Sequence, residues 1–256
     1  MLQENISHMQ FTISARDKRA REPIQKFIKE HFSDIPIEQI ESFFGFTTYT
    51  PLYGGRIWND RATNGAELSE YDIRSMYKMG IALRLPLTNH HASREEYEAD
   101  IPFLEKYYRP GNAIIVTNDN LARWIKKDFP DYHLEASVIK NIQSLDKIEK
   151  AAKIYGTVVL PMSCNEDEPF LKSIEDKSII RLFANAGCAL TCPSKMCYPS
   201  ISKANKVKDP TLFQCSQKLK DRELLGMLDF DLDYLQSLGF HRFKLLRSRG
   251  SGMTGH

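Results

Sequence analysis

Four of the five cysteines of this chain fall between positions 188 and 215. The run reads Asn185-Ala-Gly-Cys188-Ala-Leu-Thr-Cys192-Pro193-Ser-Lys-Met-Cys197, and Cys215 follows Phe213 and Gln214. Thiolates are ligands for soft metals. Grouped cysteines in a chain without a secretory leader point to metal binding or redox chemistry rather than to disulfides. The gaps between them are three, four and seventeen residues. They contain no Cys-x-x-Cys knuckle of the kind zinc favours, and the second gap departs from the radical-SAM spacing. Pro193 disfavours a helical Cys192, so a loop wrapped around its ligands is expected. Four thiolates from such a loop suit a four-iron cluster, with zinc and reduced, unliganded thiols as the alternatives.

Other residues are candidates for acid–base or nucleophilic work. His90 and His91 are the only adjacent histidines, and either is a candidate proton carrier or anion ligand. Glu135 lies mid-strand in His133-Leu134-Glu135-Ala136-Ser137. If it faces inward it is a buried carboxylate with a raised pKa. Cys164 stands apart from the other thiols, either as a buried small residue or as a pocket-lining nucleophile.

The elements that would position these groups alternate along the chain. Short apolar runs begin at Ile40, Ile81, Ala113, His133, Thr157, Ile179 and Phe243. Helical patterns lie between them: one opens at Ser69 and stops at Gly80, one runs from Leu145 to Tyr155, and a helical region covers Glu223–Leu228 and Leu232–Gly239. Strand–helix alternation predicts an α/β fold with a parallel sheet. No Gly-x-Gly-x-x-Gly turn supports an open dinucleotide-binding sheet. The expectation is a TIM-like (β/α) barrel over 39–256, with a cysteine-rich loop at 185–215. Only seven strands are visible, so the barrel is expected to be incomplete or modified, or the chain a fragment. Residues 1–38 read as an N-terminal helical extension, with Ile24, Phe27 and Ile28 on one face. In a barrel, function collects at the C-terminal strand ends. Asn89, Asn118, Asn165 and Asn185 each fall just past a strand and together predict a polar pocket.

Composition narrows the function classes. A 256-residue chain that is 42% hydrophobic and 27% charged reads as an ordinary globular protein. Its net charge of +2 gives no strong footprint for nucleic acid. The N-terminus, Met-Leu-Gln-Glu-Asn-Ile-Ser, has neither a basic region nor an apolar one. No apolar run reaches the roughly 18 residues of a membrane helix. A cytoplasmic setting without membrane contact is expected.

The stretch Gly55-Arg56-Ile-Trp58-Asn59-Asp60-Arg61-Ala62-Thr-Asn64-Gly65-Ala66-Glu67-Leu68-Ser69, then a helix, Gly80 and a strand ending at Asn89, resembles the N-terminal half of the collagenase-like peptidase family U-thirty-two. Val116-Thr-Asn118, Leu134-Glu135-Ala136-Ser137, the Asn185 to Cys188 segment and Phe240-His-Arg-Phe243-Lys244-Leu245 add to the likeness, which spans roughly 40–250. The resemblance implies a modified barrel with a four-cysteine iron–sulfur site, here Cys188, Cys192, Cys197 and Cys215, and a pocket holding Arg61 and Asn89. It also implies oxygen-independent hydroxylation of an RNA base or a small-molecule quinone precursor, besides the older peptidase label. A related chain is an expected partner. Two departures stand out: the cysteines are more closely spaced than is usual in that family, and Lys244-Leu-Leu-Arg247-Ser248-Arg249 replaces a Lys-x-x-Gly-Arg ending. Arg247 and Arg249, with Arg61, are candidates for holding an anionic group. The leading expectation is an iron–sulfur barrel enzyme. The alternatives are a peptidase or hydrolase working through Cys164 or a His/Glu pair, and a non-catalytic cluster-binding subunit. No Gly-x-Ser-x-Gly or His-Glu-x-x-His motif supports hydrolysis.

Overall fold

The computed structural model describes residues 9–16, 18–19, 21–54, 68–192, 194–217 and 227–246. Arg61, Arg247 and Arg249 lie outside the described residues, as does the helical pattern at 223–226. Eight strands form the barrel: β1 (Gln10–Ser14), β2 (Ile40–Phe44), β3 (Ala82–Leu87), β4 (Ala113–Val116), β5 (His133–Ala136), β6 (Thr157–Val159), β7 (Ile180–Phe183) and, last in the chain, β10 (Arg242–Leu245). They close in the order β1-β10-β7-β6-β5-β4-β3-β2, every pair parallel.

The TIM-like barrel expected from the strand–helix alternation is therefore present, but it is not incomplete. The missing strand is β1, inside the segment read as a helical extension. It pairs with both β10 and β2. Gln10-Phe11-Thr12-Ile13-Ser14 alternates polar and apolar residues with period two, the signature of a strand with two unlike faces. Its polar residues face the barrel axis, so the strand reads as a hydrophilic stretch.

The outer strand faces carry the apolar core. Phe43 on β2 packs its ring against Phe27 and Phe32, from helix α1 (Ile24–His31) and its C-cap. α2 (Glu70–Lys78) begins as its sequence predicts, with Ser69 and Asp72 forming a reciprocal capping box. It stops at Gly80, whose φ of +77° suits glycine. Asp72 also accepts from the Ile24 backbone N–H and pairs with the buried amine of Lys18 at 2.8 Å. One carboxylate thus ties the chain between β1 and α1 to the second helical layer. The ring continues with α3 (Arg94–Ala99), α4 (Ile101–Lys106), α5 (Asp119–Asp128), α6 (Leu145–Ala152), α7 (Glu168–Ser173), α8 (Cys197–Val207) and α9 (Leu232–Ser237).

Beyond β7 the chain makes a two-residue strand, β8 (Asn185–Ala186), paired antiparallel with β9 (Leu228–Asp229). Leu228, expected in a helix, is instead in this ribbon. Val159, Met162, Phe183 and Ala186 form a small apolar cluster there, separate from the main core.

Candidate functional site

The barrel axis is charged. Glu135 on β5 points inward and is fully buried. Its Oε2 accepts from Arg181 Nε at 3.1 Å and lies 3.4 Å from Arg84 Nη1. Lys244 Nζ stands 3.9 Å from Oε1. Arg181 also donates to Thr12 Oγ1 at 2.6 Å and to Glu41 Oε2 at 2.8 Å, and Arg84 donates to Ser42 Oγ at 2.6 Å and to Glu41. The pairing of β1 with β2 slips in register between Phe11 and Thr12. This irregularity lets the consecutive residues Glu41 and Ser42 both reach the interior guanidiniums.

The expectation of a raised pKa for Glu135 is overturned. Burial pushes it up, but Arg181, then Arg84 and Lys244, outweigh burial and hold it below the ordinary range. Burial likewise works against Glu41, which Arg181, Arg84 and Arg242 nonetheless bring down to about 2. A carboxylate whose folded pKa lies below its unfolded value near 4.3 contributes stability that is present above that value. The contribution is lost as pH falls through the folded pKa. Equilibrium unfolding followed by circular dichroism should show stability declining steadily between about pH 4.5 and pH 2. A flat profile across that window would count against the network.

The four strand-end asparagines spend their amides chiefly on the backbone, and Asn185 also lines a cavity of about 380 Å³ with Phe11, Phe32 and Leu246. Asn89 donates to the carbonyls of Pro51, Tyr53 and Ser202. Asn118 caps α5 by accepting from the N–H groups of Asn120 and Leu121, and donates to the His90 carbonyl. Asn165 donates to the Phe183 carbonyl at 2.7 Å. Asn185 holds Leu246 at both ends, donating to its carbonyl at 2.8 Å and accepting from its N–H at 2.9 Å. Their recurrence at strand ends reflects loop latching, which a short side chain with one donor and one acceptor end performs well. Asn185→Ala should cost about 1–3 kcal/mol, because the Leu246 backbone groups lose both partners. A change below half of that range in chemical denaturation would show that water replaces the amide.

His90 and Cys164 separate. His90 is half-buried, shares a 2.9 Å hydrogen bond through Nδ1 with Ser202 Oγ, and has its pKa lowered by burial, His91 and Lys140. His91 is exposed, its ring centre 6.3 Å from that of His90. Cys164 is 5% exposed within the main core, and burial pushes its thiol up to about 11. It is a protonated core residue at neutral pH, not an activated nucleophile.

The remaining cysteines come together above β7. Cys188 and Cys192 follow β8, Cys197 opens α8, and Cys215 arrives after the turn at Pro210–Leu212. Ser200 ties the last two together: its Oγ bonds the Cys197 carbonyl and accepts from the Gln214 N–H at 3.0 Å. Cys192 Sγ lies 3.2 Å from the hydroxyl of Ser216, beside Cys215, and accepts from the Lys195 N–H at 3.4 Å. The Cys197 thiol is raised to about 12, by burial first and then by Cys215, Cys192 and Cys188. For Cys192, burial is outweighed by the Ser216 hydroxyl and by the backbone N–H groups of Lys195 and Ser194, and the thiol is lowered. Thus four sulfurs separated by up to 27 positions share one electrostatic environment.

Their spacing bears on the metal. Zinc–sulfur bonds of about 2.3 Å in a tetrahedron place sulfurs roughly 4 Å apart. Among the described residues, the group of three or more potential ligand atoms lying within 4.8 Å of one another is Glu22, Glu30 and His31, on the outer surface. The four cysteine thiols do not form such a group. Thiolates are donors of the kind soft metals take.

A cavity of about 420 Å³ adjoins the thiols, lined by Cys192, Lys195, Tyr198, Ser163, Asn141 and His90 among others. A second of similar size lies on the other side of His90, with Lys140, Asp119 and Lys147 in its wall. Lys195 reaches across to donate to Asn141 Oδ1 at 2.9 Å. Sequence reasoning passed over Lys195 and Asn141. Both carry a signal only in three dimensions, each being a left-handed non-glycine residue, with φ of 48° and 52°.

The barrel is similar to the solved structure of the U32 peptidase Mk0906, with a TM-score of 0.59 over 95% of this chain and 94% of that one, at 9% sequence identity. At that identity the likeness is one of fold. No protein-family model matches the chain, and no curated protein does either. Among the described residues, no helix is long and apolar enough to cross a membrane.

Proposed function

We propose that this chain is an iron–sulfur barrel enzyme whose cluster is held by Cys188, Cys192, Cys197 and Cys215 beside the barrel mouth. The observation that supports this reading is the convergence of the four thiols: Cys215, Cys192 and Cys188 lie close enough to add to burial in raising the Cys197 thiol. Thiols crowded in this way resist ionising together unless a cation neutralises them, which metal coordination does. A bound four-iron cluster would supply one-electron chemistry or a Lewis-acidic iron. The chain's own residues would bind and orient the substrate in the cavity next to Cys192. Lys195 offers a cation, Ser163 a hydroxyl, and neutral His90 a proton acceptor or donor within that wall. Oxygen-independent hydroxylation, or a related modification, of a small molecule or RNA base is the reaction class we propose for it.

Anaerobic reconstitution with iron and sulfide tests the reading. About four irons per chain and a broad visible absorption are expected. A colourless chain that retains no iron would remove the proposal, and one that retains a single zinc instead would replace the cluster with a structural ion.

A hydrolytic reading is favoured by one observation, the fold likeness to a U32 peptidase. It lacks a nucleophile among the described candidates. Cys164 is protonated and buried, and Ser202, which bonds His90, is fully buried. Peptide hydrolysis that survives removal of iron and depends on His90 would revive it.

A further inference from the structure

The cavity on the far side of His90 from the thiols has a chemistry of its own. It measures about 420 Å³ and takes Thr117 from the end of β4, Lys140 from the turn after β5, and Lys147 and Lys150 from α6. That volume is in the range of small-molecule sites. Positions 147 and 150 are three apart, so both lysines leave the same face of α6. Both are exposed, and the cavity opens to solvent on that side. Among the described residues, Lys140 pairs with Asp119 and Lys150 with Asp146, whereas Lys147 has no carboxylate partner. The Lys150 pair is 70% and 68% exposed, and such pairs yield readily. Lys140 Nζ spends two of its three N–H donors, on Asp119 Oδ1 at 2.7 Å and on the Thr117 carbonyl at 2.9 Å. Asp119, the carboxylate in this wall, also accepts from the Tyr155 hydroxyl at 2.6 Å, so its charge is already spent. A second observation points to a ligand. Thr117 is 8% exposed, and its hydroxyl is buried without a hydrogen-bond partner. A buried hydroxyl calls for a partner, and the cavity is the space that its residue borders.

We propose that this cavity binds a phosphate monoester with a small apolar body. Three ammonium groups face one satisfied carboxylate, an excess that favours an anion. Lysine binds phosphate as a point charge, and a phosphate has enough oxygens to take donors from Lys147, Lys150, the third N–H of Lys140 and the Thr117 hydroxyl together. The rest of the wall is apolar. Ile139, Ile142 and Ile154 line it, and Ile139 and Ile154 are only half-buried, so a ligand's hydrocarbon would remove their remaining surface from water. The site lies just past β4 and β5, at the barrel end where ligands collect. It contains no thiol, and the inference does not depend on the cluster.

Isothermal titration of the full chain with phenyl phosphate tests it, with phenol, benzoate and inorganic phosphate as comparison probes. Phenyl phosphate is expected to bind the tightest of the four and to weaken as salt is added. Lys147→Ala should weaken it about fivefold, and Lys147→Arg should retain binding. Thr117→Val should weaken it about tenfold. Lys26→Ala, on α1, should change nothing. Should the Thr117 variant fail to fold by circular dichroism, the exposed Lys147 pair decides. Bound phenyl phosphate should also slow acetylation of Lys147 relative to Lys26, read by peptide mapping. Absence of saturable binding, or equal affinity in Lys147→Ala and the wild type, would overturn the site. Benzoate binding as tightly as phenyl phosphate would overturn the phosphate, and inorganic phosphate doing so would overturn the apolar body.

Discussion

Replacing Arg181 with methionine will destabilise the barrel by about 3–5 kcal/mol. The guanidinium is fully buried and bonds groups from three other strands: Glu135, Thr12 and Glu41. Methionine fills much of the space but leaves Glu135 with only Arg84 at 3.4 Å and Lys244 at 3.9 Å. A buried carboxylate stripped of its closest counter-charge is the costly half of this change. Two readouts separate this cause from lost packing. Glu135 should titrate at a higher pH in the variant, since Arg181 is the main opponent of its burial. Adding Glu135→Leu to Arg181→Met should also recover part of the loss, because no unpaired charge then remains. Denaturant midpoints at constant slope measure both. A loss under about 1 kcal/mol, or a double variant worse than the sum of the singles, would mean that the network is hydrated and weak.

Cys197→Ser will lower bound iron well below the reconstituted wild type and bleach its visible absorption. Cys197 is a thiol on which Cys215, Cys192 and Cys188 all act, and it sits at the first turn of α8, so it anchors the loop to a regular element. Serine keeps the size of the side chain but is a poor ligand for soft iron. Cys164→Ser is the control: it removes a thiol from the core without touching the group and should leave iron content unchanged. Iron that persists in Cys197→Ser, or vanishes in Cys164→Ser, would relocate the metal and undo the ligand assignment. The same measurement separates a cluster from unliganded thiols, since the latter hold no iron in either chain.

Some of this was legible because it rests on short-range physics. Ala113–Val116 was readable as a strand to the residue, since a four-residue apolar run between turn residues has few other fates. The N-cap at Ser69 and the stop at Gly80 were readable for the same reason: capping and positive φ are local demands. The cysteine grouping was visible as spacing alone. β1 was missed because its inward residues are polar, and a polar strand has no hydrophobic run to announce it. The backbone latching by the asparagines was not legible, because a side-chain amide serves a ligand or a backbone equally well until its neighbours are placed.

The amino-acid sequence by itself thus determined the alternation of elements, the barrel class and the identity of the thiols, all of which follow from periodicity, turn chemistry and residue type. Only the tertiary structure decided that the barrel closes, that Glu135 is held ionised rather than protonated, and that Arg84, Arg181 and Lys244 gather around it. The reason is common to all three. Strand pairing, the sign of a pKa shift and the partner of a buried charge depend on groups brought together from positions as far apart as Thr12 and Arg181, and no local pattern encodes such an encounter.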